Sequence, residues 1–292
     1  MNHDPRRAEL ADFLRSRRLA LQPEEVGLPP RASRRTPGLR REDVADLAGI
    51  SSCWYSQLEQ ARKIRVSDHV LSSLAGALRL NGEEYDYLLT LTSEDVRSRS
   101  STPANAVPPT LQRILDSQLP HPALALGPRF DILAWNQARS DVYGDLSTTN
   151  PEHRHLLRIL FSDHMRELMQ NWEPSARSAL AEFRSATGLY VDEPWFTELV
   201  RELSEMSEEF RAWWQRHEIG RRRIATREIR HPLVGRLLLE ETTFVVDDRS
   251  SRRVILETPQ PGTGTEHRLT ALAWRHDRVR AASHHALGQA WN

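Results

Sequence analysis

The chain has 292 residues, and its 40 Lys and Arg residues balance 40 Asp and Glu residues. This length predicts about two domains, and a net charge of zero argues against a protein that binds nucleic acid through charge alone. No apolar run approaches the roughly 18 residues of a membrane span, and the first residues lack the apolar core of a signal peptide. We therefore predict a cytoplasmic protein with no membrane partner. Cys53 is the only cysteine, which excludes an internal disulfide and a cysteine-built metal site.

The charges are unevenly distributed along the chain. Residues 1–65 carry 13 Arg and Lys against 9 Asp and Glu, whereas residues 66–97 carry 2 against 6. A basic excess at the N-terminal end is what contact with DNA phosphates requires. A mixed solvated surface is the alternative interpretation of the same counts.

The first predicted element is an amphipathic helix over residues 6–21, with Leu10, Phe13 and Leu14 on its apolar face. A long loop rich in Pro and Gly follows it. The loop carries Arg34 and Arg35, which we interpret either as solvated charge or as a basic arm that enters a minor groove.

A helix-turn-helix is predicted over residues 40–62, which read RREDVADLAGISSCWYSQLEQAR. Two apolar-periodic segments flank a tight turn in which Gly49 can adopt a positive φ and end the first helix. Ser51 is suited to cap the second helix, and Ala45 is small enough for the two helices to cross closely. Helix, turn and helix together occupy about 20 residues, as this motif requires.

Two further helices are predicted, over residues 66–80 and 83–91. They complete an all-α domain of five helices that we assign to residues 1–92. Residues 93–109 are rich in Ser, Pro and Arg with almost no large apolar groups, so we assign them as a linker.

The second predicted domain, residues 110–275, is α+β. A strand around Ile132 leads into a helix at Asn136, helical patterns fill residues 151–223, and period-two patterns over 224–259 predict strands. We expect a small antiparallel sheet with helices grouped in the middle of the domain, followed by a last helical segment. Residues 276–292 are assigned as a C-terminal tail.

From about residue 8 to residue 275 the sequence resembles the MmyB-like transcription regulators of actinobacteria. The resemblance is carried in the N-terminal half by RRTPGLRREDVADLAGISSCWYSQLEQAR, of the lambda-repressor/Cro or xenobiotic-response-element type. In the C-terminal half it is carried by RFDILAWN, LLRILF, NWEPSARSALAEFR, SEEFRAWWQRHEI and HPLVGRLLLE. It implies a helix-turn-helix domain followed by a PAS-like ligand-binding domain. The sequence departs from the family pattern at Ala61, where the family usually has glycine.

The resemblance implies a set of DNA-binding residues on and around the second helix of the motif. Ser52, Cys53 and Gln57 are expected to point into the major groove, where Gln suits adenine. Trp54 is expected at the groove edge, and Tyr55 and Leu58 in the core. The expected phosphate contacts come from the capping serine, from the start of the preceding helix and from the flanking cations: Ser51, Arg40, Arg41, Arg62, Lys63 and Arg65. For each arginine, solvated surface is the alternative.

Seven of the eight tryptophans follow the predicted linker, six of them in the second domain, which suggests an aromatic-rich pocket with a few polar groups. We hypothesise that the pocket binds a small apolar or amphipathic ligand. Its predicted lining is Trp135, Asn136, Phe161, Trp172, Phe210, Trp214 and His231. For the aromatic residues, ordinary core packing is the alternative, and for Asn136 the alternative is a helix cap.

Catalysis is not predicted. The sequence has no GxSxG, no P-loop, no HExxH and no dinucleotide-binding GxGxxG in its required context. His153 and His155 lack further convergent ligands, so no metal and no cofactor are expected.

We therefore expect a sequence-specific transcription regulator whose homodimer reads operator DNA and responds to a ligand. The main alternative is a DNA-bound platform whose second domain docks a protein partner. An antitoxin-like DNA-binding protein is a further alternative, against which the large second domain counts.

Overall fold

The computed structural model describes residues 4–29, 38–92, 107–220, 225–247 and 252–275. The described residues form two compact units. The first combines the residues up to 92 with residues 180–220, and the second combines residues 107–179 with residues 225–275. Arg34 and Arg35, the centre of the predicted linker and the predicted tail lie outside the described residues.

Five helices form the N-terminal part of the first unit, which confirms the predicted all-α module. They are α1 (Pro5–Ala20), α2 (Arg41–Ala48), α3 (Ser52–Glu59), α4 (Asp68–Ala77) and α5 (Gly82–Thr92), with a short 3₁₀ helix at Pro23–Val26.

The turn between α2 and α3 has the predicted geometry. Gly49 ends α2 with a φ of 66°, in the left-handed region. The Ser51 hydroxyl accepts the backbone N–H of Trp54 at 3.1 Å and so caps α3. Ala45 and Tyr55 are completely buried in the shared core. The sequence therefore places both helices and the turn correctly.

Five α-helices begin within residues 107–179, and they are α6 (Pro109–Asp116), α7 (Gln137–Tyr143), α8 (Leu156–Leu160), α9 (Asp163–Leu168) and α10 (Trp172–Thr187). The division between the two units falls within α10, after residue 179.

The second unit contains a five-stranded sheet in which every neighbouring pair is antiparallel, as predicted. Its strands are β1 (Ala123–Leu126), β2 (Ile132–Trp135), β3 (Ala225–His231), β4 (Gly235–Asp247) and β5 (Arg252–Pro259), in the order β2-β1-β5-β4-β3. Strand β1 was not predicted. Its four residues are all buried, so it lacks the polar–apolar alternation of a half-exposed strand. Residues 265–275 form a final helix.

Residues 180–220 contain the end of α10 and two more helices, α11 (Pro194–Met206) and α12 (Glu208–Trp214). The sequence-based boundaries place this segment in the second domain, whereas in the structure it is compact with the five N-terminal helices. Phe183 stacks on Phe196 at 5.9 Å between ring centroids, and Ile219 packs against the N-terminal core. The regrouping rests on tertiary packing, which no local pattern encodes.

None of the helices in the described part of the chain has both the length and the apolarity needed to cross a membrane.

Candidate DNA-binding surface and ligand cavity

Helix α3 presents a polar face to solvent. Ser52, Cys53 and Gln57 are exposed, while Tyr55 and Leu58 are 0% and 3% exposed in the core. Trp54 is half-buried and packs against that core. The rotation of α3 is thus fixed by its buried residues, and the residues predicted to read bases lie together on the outer face.

An open groove of about 560 Å³ runs along this face. It is lined by Cys53, Ser56, Gln57, Gln60, Arg62 and Lys63. The cations Arg40 and Arg65 are also exposed. Ser56 and Gln60 were not predicted as site residues. Their spacing of three residues from Cys53 and Gln57 respectively is the signal that places them on the same helical face.

Glu59, at the end of α3, is the centre of a buried ion-pair cluster with Arg18 and Arg41, which we call the Arg18 cluster. The Arg18 guanidinium binds both carboxylate oxygens of Glu59, at 2.6 and 3.0 Å. Its third nitrogen donates to the Leu39 carbonyl at 2.7 Å. Arg41 Nε donates to Glu59 at 2.7 Å. The cluster therefore ties α3 to α1 and to the start of α2.

The protonation of Glu59 follows from these contacts. Burial raises the pKa of its carboxyl group, but the ion pairs with Arg18 and Arg41 outweigh burial and lower the pKa. The residue is therefore ionised at neutral pH. Arg41 lies at the start of α2 with its side chain half-exposed. Its bond to Glu59 helps to position α3, a role that was not predicted.

Ala61 shows the consequence of its departure from the family pattern. Its φ is 56°, in the left-handed region that glycine adopts without strain. Gly38, just before the Leu39 contact, has a φ of 76°, and a Cβ there would collide with the backbone of Leu19. Residues with a positive φ therefore lie close in sequence to both Leu39 and Glu59, the two residues that bind Arg18.

The predicted ligand-lining residues are divided between the two units. Phe210 and Trp214 lie in the first unit, stacked on each other at 5.6 Å. Asn136 is 1% exposed, and its side-chain amide forms hydrogen bonds with four backbone groups. Its Oδ1 accepts from the backbone N–H groups of Ala123 and Arg139, both at 3.0 Å. Its Nδ2 donates to two backbone carbonyls. Because this amide is fully engaged, the cap interpretation replaces the ligand interpretation.

The polar atoms of the other predicted residues also form hydrogen bonds with groups of the protein itself. His231 accepts the Leu233 N–H at 3.2 Å through Nδ1 and reaches the Asp141 carbonyl at 3.0 Å through Nε2. Trp172 donates its indole N–H to the Leu160 carbonyl at 2.7 Å and packs edge-on against Phe161.

Trp135 donates its indole N–H to the Ser140 hydroxyl at 3.0 Å. None of the five predicted residues of the second unit lines the cavity described next.

A buried cavity of about 20 Å³ lies between the sheet and α7 to α9. A volume of this size holds about one water-sized molecule. Its walls combine aliphatic and thioether groups with a charged cluster, and they comprise Leu124, Arg139, Tyr143, Leu156, Ile159, Leu160, Met165, Met169, Arg227, Glu241, Ile255 and Glu257.

The charged part of the wall is formed by Arg139, Arg227, Glu241 and Glu257, which we call the cavity cluster. Each is at most 5% exposed. Arg227 donates to one Glu241 oxygen at 3.0 and 2.8 Å. Glu241 and Glu257 are paired directly across β4 and β5, an arrangement that is unfavourable when both are charged.

The signal for the cavity cluster was present in the strand patterns. On each of three strands a charged residue stands two positions from a buried aliphatic residue and so shares its face. The pairs are Ile229 with Arg227, Leu239 with Glu241, and Ile255 with Glu257. An inward charge on three adjacent strands indicates a buried polar site, and this inference was missed.

The cavity cluster is incompletely satisfied. Arg139 Nε and Nη1, Arg227 Nη1 and Glu257 Oε2 are buried without a hydrogen-bond partner. Burial raises the pKa of both Glu241 and Glu257, although Arg227 and Arg139 act in the opposite direction. Buried donors and acceptors normally have partners, so these four atoms distinguish the cavity wall from the Arg18 cluster.

Comparison with known proteins assigns both halves of the chain. The family model of the MmyB-like transcription regulator ligand binding domain matches residues 107–272. A helix-turn-helix domain model matches residues 9–88. The chain belongs to the MmyB-like transcription regulators. No curated protein matches the sequence.

This MmyB-like regulator is a DNA-binding transcription regulator, as its two domain families indicate. The matched ligand-binding range includes residues 180–220, which the structure groups with the helix-turn-helix. Among the residues that the structure describes, no group of three metal-ligating side chains occurs.

Proposed function

We propose that this MmyB-like regulator binds operator DNA sequence-specifically as a homodimer and that a small molecule bound in the cavity changes its DNA affinity. The observation that carries the DNA part is the exposed polar face of α3, held in a fixed rotation by Tyr55, Leu58 and Glu59. The two reading helices of a dimer would contact half-sites about one helical turn apart.

The residues on that face have distinct roles. Gln57 is proposed to bond adenine through its amide, while Ser52 and Cys53 contact neighbouring base edges. Arg62 and Lys63 lie on the same groove and are proposed to neutralise phosphates. Arg62 is a cleaner test of phosphate contact than Arg41, because Arg41 also binds Glu59.

The ligand part of the proposal is carried by Arg139 Nε and Nη1, which are buried without a hydrogen-bond partner. They suit a ligand with an acceptor group, while the aliphatic walls suit an apolar remainder. The present volume of about 20 Å³ is too small for such a molecule, so binding requires Met165 and Met169 to move. Methionine side chains adapt readily to a new neighbour. The ligand regulates only if the DNA-binding and non-binding states bind it differently.

Native mass spectrometry of the full chain tests the ligand proposal. We expect the native mass to exceed the denatured mass by a small molecule that is lost from Arg139→Met and retained by Arg201→Met. Arg201 is an exposed arginine that pairs with Glu198 and Glu205 on α11, so it serves as the matched control. Purified protein without extra mass in any preparation would contradict a tightly bound ligand.

The protein-docking alternative is favoured by exposed apolar surface on the second unit. Trp274 is 71% exposed, and Phe244, Val245 and Val246 on β4 are 49% to 61% exposed. Exposed apolar groups of this kind mark interaction surfaces when they are contiguous. Native spectra that show a dimer without a small molecule would favour this alternative.

A further inference from the structure

Residues 180–220 contact the N-terminal helices α1 and α5 directly. Arg6 on α1 donates to the Leu189 carbonyl at 2.7 Å, and Arg17 donates to the His217 carbonyl at 3.0 Å. A Cβ on Gly188 would lie 2.5 Å from the ring of Tyr87 on α5. This close approach requires glycine, so the two segments are fitted to each other closely.

The centre of this attachment is a buried group formed by Glu9, Tyr87, Arg184 and His217, which we call the Arg184 cluster. Arg184 on α10 is 2% exposed and pairs with Glu9 on α1. The Tyr87 hydroxyl donates to the same Glu9 oxygen at 2.8 Å, and His217 Nδ1 lies 2.7 Å from Arg184 Nη1. Arg184 also donates to the Trp214 carbonyl and stacks on the Trp214 ring at 3.7 Å.

The Glu9 carboxyl group is ionised at neutral pH. Burial raises the pKa of Glu9, but hydrogen bonds and charges from His217 and Arg184 outweigh it and lower the pKa to about 2. Glu9 is therefore an ionised carboxylate that needs Arg184. Removing either partner leaves a buried charge, which is strongly unfavourable.

Helix α1 connects the Arg184 cluster to the reading helix. Glu9 lies in the first half of α1, and Arg18 lies near its end, where it binds Glu59 on α3. A displacement of α1 therefore acts on the residue that positions α3.

Helix α10 begins at Trp172, whose indole N–H binds the carbonyl of Leu160, a residue of the cavity wall. One helix thus carries a contact to the proposed ligand site and the arginine bound to α1.

We propose that the Arg184 cluster couples the state of α10 to DNA binding, because it holds α1 in the position that supports α3. In this arrangement Arg184 and Glu9 are positioning residues, and an intact cluster favours the DNA-binding form. The ligand end of this coupling rests on the proposed function, whereas the link from Arg184 to DNA binding can be tested without a ligand.

Thermodynamic linkage supplies the first test. If the cluster affects DNA binding, DNA binding must affect the cluster equally. Wild-type protein is first used to select duplexes from a random library. Hydrogen exchange is then measured on free protein, with the selected duplex, and with an unselected duplex of equal length. We expect the selected duplex to increase protection at residues 180–190 and in α1 more than the unselected duplex does.

Selected DNA that leaves exchange in residues 180–190 unchanged would overturn the coupling while sequence-specific DNA binding stands. Failure to select any duplex would instead contradict the DNA-reading function itself. Because this measurement uses the wild-type chain, it does not depend on the folding of a variant.

Variants give the second test. We expect Arg184→Met to lower affinity for the selected duplex about tenfold, within the usual range of coupling between sites. Arg184→Lys should restore part of the affinity, and Arg201→Met should leave it unchanged. In Glu9→Gln/Arg184→Met neither charge remains buried without its partner, so the loss should be smaller than the sum of the single losses. Folded variants with wild-type affinity for both duplexes would overturn the proposal.

Discussion

The Arg18 cluster and the cavity cluster contain the same residue types, two buried or half-buried arginines with glutamate partners, but they are completed differently. In the Arg18 cluster both Glu59 oxygens and all three nitrogens of Arg18 are bonded. In the cavity cluster the Arg139 guanidinium stacks on the Tyr143 ring at 3.6 Å, but two of its nitrogens have no hydrogen-bond partner. A completed charge cluster therefore fixes an element in place, whereas the cavity cluster keeps buried donors and an acceptor that make no hydrogen bond.

The acid–base behaviour of the two clusters differs in the same sense. The arginine contacts of Glu59 outweigh burial and lower its pKa. Burial outweighs the arginines in the cavity cluster and raises the pKa of Glu241 and Glu257. Burial has the larger effect on the pKa in the cavity cluster, and the neighbouring charge of Glu241 adds to it at Glu257.

The largest effect is expected from removing the Glu59 charge. Glu59→Gln leaves Arg18 buried without its carboxylate and should destabilise the first unit by about 3–5 kcal/mol. Glu257→Gln should cost no more than about 1 kcal/mol, because one of its oxygens has no partner to lose. The protection of amides in α3 and β5 against hydrogen exchange measures each loss locally.

Glu205→Gln, which removes an exposed carboxylate from α11, is the matched control and should change stability little. Equal losses of stability from Glu59→Gln and Glu257→Gln would contradict the proposed difference between the two clusters.

A change in pH is expected to have a smaller effect on stability, and the sign of this effect should differ between the two units. The lowered pKa of Glu59 means that its stabilisation is present above the unfolded pKa of a glutamate and is lost as pH falls through the folded value. The raised pKa values of Glu241 and Glu257 mean that their ionisation costs stability, so acidification from neutral pH should stabilise the second unit.

Hydrogen exchange, corrected for intrinsic rates, should therefore show β4 gaining protection between about pH 7 and about pH 5 while α3 is unchanged. A parallel loss of protection in β4 and α3 would contradict the assigned pKa directions.

The smallest effect is expected at the backbone that follows Glu59. Ala61 has a φ of 56°, so Ala61→Gly should stabilise the first unit by about 0.5–1 kcal/mol through relief of strain. Gly49→Ala is the matched reverse change, since Gly49 has a φ of 66° and nothing within 4 Å of an added Cβ. Thermal unfolding should move in opposite directions for the two variants, and a shift in the same direction would refute the strain argument.

The helix-turn-helix was predictable from the sequence because the residues that determine it are close together in the chain. Gly49, Ser51 and the apolar periodicity of α2 and α3 lie within one short segment, and capping and turn chemistry act over a few residues. The outward face of α3 followed from the burial of Tyr55 and Leu58. The contact between Arg18 and Glu59 was not predictable in this way, because it joins residues that are 41 positions apart.

The predicted ligand lining was based on aromatic content, a signal that ordinary core residues share. Trp172 and His231 have polar atoms that are bound by nearby backbone groups, and Phe210 and Trp214 belong to the other unit. The cavity cluster is instead marked by charges at inward strand positions. Its assembly depends on strand register, which places Glu241 opposite Glu257 and which the sequence pattern does not reveal.

Selection of duplexes from random DNA by the wild-type protein and by Gln57→Ala tests the central claim most directly. We predict that the wild type enriches a motif of two half-sites about one helical turn apart. Gln57→Ala should lose preference at one position of each half-site, a loss of roughly 1–3 kcal/mol on the preferred sequence. Arg62→Ala should keep the motif and bind all sequences more weakly. Identical motifs from the wild type and Gln57→Ala, or no motif at all, would contradict α3 as the reading helix.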